Sequence, residues 1–218
     1  MTILTTENAV CPIDGTRFEY TGLLSYGTYG CGLDGLPVSL TEMPHRIPAC
    51  PTCRFPVWIR NLTDQELETA RAVVESPAHE AMTREAPYLH FQYLLDEVGR
   101  ADPVHRANNL LKACWQTSPR SDRYAGYARQ LGEAADAASD GLLAEGRGNW
   151  IAFQTFVANV ERQAGMWDEA AGRLDAVCAE PVEDEQLERR IAQTRALIAE
   201  RDNQRVEGED VRRPLSRR

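Results

Sequence analysis

The sequence predicts an α+β chain that is mostly α: a small cysteine-bearing module at the N-terminus, then a larger all-helical domain. Three observations predict it. Composition shifts near residue 60, from Gly, Pro, Tyr, Thr and Cys to Ala, Leu, Glu, Arg and Gln. Four of the six cysteines (Cys11, Cys31, Cys50 and Cys53) lie in the first 53 residues. Beyond residue 60, amphipathic stretches alternate with short breaks, "GRADP", "TSPRSD", "EGRGN", "AGMWD" and "AEPVED". Connections this short place neighbouring helices side by side and antiparallel.

In chain order, "RFEYTGLL" and "VWIR" are aromatic and aliphatic enough to be strands. Between them "SYGTYGCGLDGLPV" holds Gly27, Gly30, Gly32 and Gly35, a density that suits turns rather than a helix. The second part opens on "NLTDQELETARAVVES", where Thr63 is the N-cap, Glu66 stands at N3 and Pro77 ends the helix. Further helices are expected at about 79–99, 104–117, 122–144, 149–165, 167–179 and 183–202. The domains follow as 1–60, 61–203 and a charged, disordered tail at 204–218.

The first module, about 50 residues long, is too small to hold itself by apolar burial and needs a staple. "ACPTCRF" supplies half of one: Cys50 and Cys53 form a C-x-x-C knuckle whose amides point back at the sulfurs. "CPIDGTRF" keeps Cys11, Pro12, Gly15 and Phe18 of a matching knuckle but has Asp14 where a second cysteine is expected. The pattern is that of a zinc ribbon. A closed structural zinc site takes four ligands. Cys11, Cys50 and Cys53 are three. For the fourth, Cys31 is preferred because soft thiolates share zinc well; Asp14 and His45 are the alternatives. Zinc is thus the expected cofactor, in a structural role. Cys114 and Cys178 lie in helical, apolar surroundings and read as small core residues.

In the helical part, "NWIAFQTFVANVERQAGMWDEAAGRLDAVCAEP" places Ala158, Gly165, Trp167 and Ala170 where a tetratricopeptide repeat wants small, glycine, aromatic and alanine residues, with Pro181 near the repeat end. Small residues let two helices approach, and Trp167 and Leu174 fill the groove. One such turn is convincing; the other helices stack on it in degenerate form. Together, "CPIDGTRFEYTGLLSYGTYG", "LDGLPV" and "IPACPTCRFPVW" followed by helices resemble the bacterial family called domain of unknown function 2225. That resemblance implies a two-knuckle zinc ribbon ahead of a repeat-like helical region, with metal positions at Cys11, Cys50 and Cys53 and the position of Asp14 altered in residue type. It implies no activity.

The net charge of −9 disfavours nucleic acid and anionic lipid. No apolar run approaches the roughly 18 residues needed to span a bilayer. The opening residues lack a signal-peptide pattern, so a cytoplasmic protein is expected. The sequence has no G-x-x-x-x-G-K-[ST], no G-x-G-x-x-G before a helix, no H-E-x-x-H and no G-x-S-x-G. The expectation is therefore a non-enzymatic scaffold that takes a protein or peptide in a helical-repeat groove. Nucleic-acid binding through the ribbon, with Tyr20, Tyr26, Tyr29 and Trp58 as stacking platforms, is the alternative. A metal-dependent hydrolase built on His79, Glu80 and His90 is a more distant one.

Overall fold

The computed structural model describes residues 3–25, 27, 28, 30–38, 47–179 and 181–206. The chain starts with a β-hairpin. β1 (Ile3–Val10) pairs antiparallel with β2 (Arg17–Ser25), from Val10 opposite Arg17 to Ile3 opposite Ser25, with an irregularity between Ile3 and Leu4. β2 covers the strand expected at "RFEYTGLL". β1 was not expected from the sequence, yet its Ile, Thr and Val residues suit a pleated strand. Across the pair, Tyr20 Oη donates to Glu7 Oε2 at 2.5 Å. "VWIR" is not a strand. Pro51 and Pro56 cannot donate to a ladder. Only an isolated bridge, Ala49 to Pro56, forms, and the chain then turns, with Val57 N–H on Pro48 O at 2.9 Å. A second small hairpin pairs β3 (Gly30–Cys31) with β4 (Pro37–Val38).

The helices follow in the order expected, with two expected helices each divided. α1 (Asp64–Val74) carries the predicted capping box: Glu66 N–H on Thr63 Oγ1 at 3.3 Å and Thr63 N–H on Glu66 Oε2 at 2.7 Å. α2 (Pro77–Met82) begins at the proline that ends α1, since proline fits the first helical position. The stretch 79–99 then breaks before Pro87, which opens α3 (Pro87–Glu97). α4 (Pro103–Trp115) is capped by Asp102. The stretch 122–144 is interrupted at Ala138, between α5 (Tyr124–Ala137) and α6 (Ser139–Ala144). α7 (Arg147–Gln163), α8 (Trp167–Val177) and α9 (Glu185–Ala199) follow. None of the described helices is long and apolar enough to cross a membrane.

Three apolar clusters hold the molecule. The largest joins α4, α5, α6 and α7 around Leu110, Tyr124, Leu131 and Val157. Cys114 lies fully buried in it, and burial pushes its thiol up to about 12. The second joins α7, α8 and α9 through Ile151, Ala158, Leu174, Val177 and Ile191. Here Ala158 and Ala170 are fully buried and the helices turn at Gly165, whose φ is +77°. Cys178 packs on the edge of this cluster. The third crosses the compositional boundary at residue 60. Cys11, Cys50, Phe55 and Ile59 pack directly against Ala70 and Val73 of α1 and Leu94 of α3. The crossing is clamped by Arg100, whose guanidinium donates to Glu66 Oε1 and Oε2 at 2.6 and 2.7 Å and to Arg60 O and Asn61 O at 2.7 Å. Residues 204–206 were assigned to the tail, but they pack on the helices together with Asp202. Arg162 donates to Asp202 O and to Gln204 O, the latter at 3.0 Å. The rest of that tail, and its arginines, lie outside the described residues.

Candidate metal centre

The two cysteine-bearing turns have the same backbone hydrogen bonds. In the first, Cys11 N–H reaches Thr16 O at 2.9 Å and Gly15 N–H reaches Cys11 O at 3.0 Å. In the second, Cys50 N–H reaches Phe55 O at 2.8 Å and Arg54 N–H reaches Cys50 O at 2.9 Å. In both, the fifth residue has positive φ: +73° at Gly15 and +63° at Arg54. Glycine adopts that conformation freely; Arg54 is held in it by the turn. Two equivalent turns make their fourth positions equivalent, so Asp14 occupies in the first the place of Cys53 in the second.

The turns face each other. Thr16 Oγ1 and Thr52 Oγ1 are 3.2 Å apart, a link between the two knuckles. Cys11 Sγ lies 3.4 Å from Cys53 Sγ. Cys50 Sγ lies 3.5 and 3.7 Å from the two carboxylate oxygens of Asp14. The donor atoms of Cys11, Asp14, Cys50 and Cys53 all lie within 4.8 Å of one another, a group that can hold a metal ion. Cys11 and Cys50 are buried while Asp14 is exposed, so the carboxylate closes the site on its solvent side. The four cysteines of this module are free thiols, with no disulfide among them.

The surroundings tune each donor. Burial raises the Cys11 thiol above its ordinary value, against the amides of Asp14 and Ile13, which favour the thiolate. Burial would raise Cys50 too, but the amides of Cys53 and Thr52 and the neighbouring thiols outweigh it and hold it below the usual range. Burial pushes Cys53 up strongly. Asp14 is lowered to about 2, chiefly by the Thr16 N–H on its Oδ1 at 2.9 Å. A carboxylate ionised at neutral pH beside thiols whose amides already favour the thiolate is a donor set suited to a cation.

Cys31 is not in this group. It sits on β3, where its Sγ lies 3.3 Å from Arg190 Nη2 of α9, a partner 159 residues away in sequence. His45 lies outside the described residues. His79 and His90 fall on two helices rather than one, yet their rings meet, with His90 Nε2 at 3.3 Å from His79 Nδ1. His79 Nε2 lies 2.9 Å from Cys53 O. A carbonyl only accepts, so that nitrogen carries the proton and Nδ1 accepts from His90. The pair therefore braces the backbone of the Cys50–Cys53 turn, a role that no local motif announces. Glu80, the carboxylate proposed beside them, pairs instead with Arg84 at 2.7 Å on the surface. Among the described residues, the two knuckles form the group of metal donors, and the histidines are not part of it.

No family model, curated protein or solved structure matches this chain.

Proposed function

We propose that the chain is a zinc-stapled interaction scaffold. Zinc is held by Cys11, Asp14, Cys50 and Cys53, with Asp14 rather than Cys31 as the fourth ligand. The helical domain, built around a tetratricopeptide-like turn at α7 and α8, presents its surface to a protein or peptide. One observation carries this reading: two knuckles of equal backbone geometry converge three thiols and one carboxylate. Three sulfurs favour a soft or borderline cation, and four protein donors match the tetrahedral preference of zinc. Such a set leaves no open position for a reacting water and places much negative charge on the metal, which suits a structural role over hydrolysis. Partner binding is supported by a cavity of about 570 Å³ between α5, α7 and α8, lined by Trp150, Met166, Glu133 and Arg173 among others. The acidic balance favours a protein partner over nucleic acid.

The test is the metal content of the purified protein by elemental analysis. Wild type is expected to carry one zinc per chain, and Cys31→Ala the same. Cys50→Ala should lose it. Asp14→Ala should hold zinc at least tenfold more weakly against a chelator, and Asp14→Cys more tightly, since a fourth thiolate replaces a harder oxygen. Metal-free wild type, or loss on Cys31→Ala with retention on Asp14→Ala, would sink this assignment.

A further inference from the structure

Gly32, Leu33, Asp34 and Gly35 form the tip of the β3–β4 hairpin. By sequence they belong to the N-terminal module, yet all four are buried in the helical domain. The turn holds its own shape: Gly35 N–H on Gly32 O at 3.0 Å, Gly32 N–H on Leu36 O at 2.8 Å, and Leu36 N–H on Asp34 Oδ1 at 3.1 Å. The helices then grip it from several sides. Trp115 Nε1–H of α4 donates to Asp34 O at 2.9 Å. Gln163 of α7 donates to Asp34 Oδ2 at 3.2 Å. Arg190 of α9 donates to Gly32 O at 2.6 Å. From the C-terminal strap at 202–206, Val206 O accepts from Leu33 N–H at 3.4 Å, and Arg205 Nε lies 3.0 Å from Asp34 Oδ2.

These contacts read a peptide by its chemistry. Donors take its carbonyls, the Gln163 amide hydrogen-bonds its single carboxylate, the Arg205 guanidinium faces that carboxylate as an ion pair without a hydrogen bond from Nε, and Leu33 is enclosed with no exposed surface. The glycines are read by what they lack. A Cβ at Gly35 would stand 2.8 to 3.0 Å from the Phe156 ring, and one at Gly32 would stand 2.9 Å from Val206 O. Arg162, fully buried beneath the strap, adds a second guanidinium to the surroundings. A neutral side chain in place of the aspartate leaves Arg205 buried without its counter-charge.

We propose that α4, α7, α9 and residues 202–206 form a binding site for a Gly-Leu-Asp-Gly turn. In this chain its own residues 32–35 fill the site. A partner protein presenting an aspartate turn of the same kind enters by displacing them. The proposal rests on reading the helical domain as an interaction scaffold, and it names the ligand chemistry for that domain.

The experiment uses the full-length protein and a labelled cyclic peptide spanning residues 30–38, with Cys31→Ser to prevent oxidation. Binding is followed by fluorescence anisotropy. In the protein variant Leu33→Ala/Asp34→Ser the internal turn is weakened, and the peptide should bind at least tenfold more tightly than to wild type. The peptide carrying Asp34→Asn should lose at least tenfold in affinity for that variant, as should the wild-type peptide when Arg205→Ala is added to the protein. A folded variant that does not take the peptide, or takes the Asp34→Asn peptide equally well, overturns the proposal. The milder protein variant Asp34→Asn gives the same readout if the double variant loses its helical circular dichroism. If neither variant folds, the turn is an indispensable part of the core and the proposal falls. Failure here with one zinc per chain intact leaves the zinc-stapled scaffold standing.

Discussion

Asp14 shows how one residue can keep a position while changing its chemistry. Its place as the fourth residue of a knuckle was legible in "CPIDG", because Cys11, Pro12 and Gly15 mark the turn. Ranking donors by softness alone favoured Cys31. Softness carries no information about place, and Cys31 is placed by Arg190, far away in the chain. His90 was equally opaque for the same reason: nothing local says that α2 and α3 will bring its ring to that of His79. Its consequence is a pH dependence. Burial, with smaller contributions from His79 and Arg54, lowers His90 to about 4, against about 6.5 for an exposed histidine. The folded state therefore disfavours the proton that the unfolded state takes up. The stability this contributes is complete above about pH 6.5 and is lost as pH falls through about 4, on the order of 3 kcal/mol across that window. In thermal melts at pH 7.5 and pH 5, wild type should lose more stability on acidification than His90→Gln. Equal losses would mean that His90 is not held neutral.

At the scale of elements, local chemistry was the reliable guide. The capping box at Thr63 and Glu66, Pro103 in the break before α4, and the turn at Gly165 all act within a few residues, so the sequence displays them, whereas Pro87 divides a stretch whose periodicity reads as one helix. β1 was less visible because a lone hairpin strand with one partner and little burial carries no sharp alternation of apolar residues. The β3–β4 hairpin was the least visible. Its glycines announced turns, but the need for them lies in Phe156 and Val206, which no spacing rule connects to it. The two kinds of element predict different costs. Thr63→Ala removes a cap at the solvent-facing start of α1 and should cost about 1 kcal/mol. Gly35→Ala meets both a positive φ of +79° and the Phe156 ring, and should cost roughly 2–4 kcal/mol. Chemical denaturation of the two variants checks the order. A Gly35→Ala protein as stable as Thr63→Ala would show that the hairpin tip is not seated as described.

For the whole molecule, the boundary at residue 60 was legible as a change of composition but not as a change of core. The two cysteine-bearing turns share an apolar cluster with α1 and α3, while α4 to α9 are held by two other clusters. Metal removal should therefore propagate unevenly. In hydrogen exchange after chelation, amides of residues 50–60 and of α1 to α3 should lose protection, while the α4–α7 core keeps it. Uniform loss of protection would mean that the clusters unfold as one unit, and no change would mean that the staple carries no load.

The seating of the Gly32–Gly35 turn also sets an order of assembly. Beside those from α4 and α7, its contacts come from α9 and from residues 202–206, the last of the described chain to be synthesised. The segment between the two knuckles leaves the ribosome well before α9, so its midpoint has no complete seat until residues 202–206 have followed. Closing such distant contacts is slow, because the intervening chain must be ordered first. The cysteine-bearing module is thus begun before the helical domain and completed only with it, and a nascent chain halted before α9 would expose Leu33 and Asp34 to the chaperones and proteases that patrol unfinished proteins.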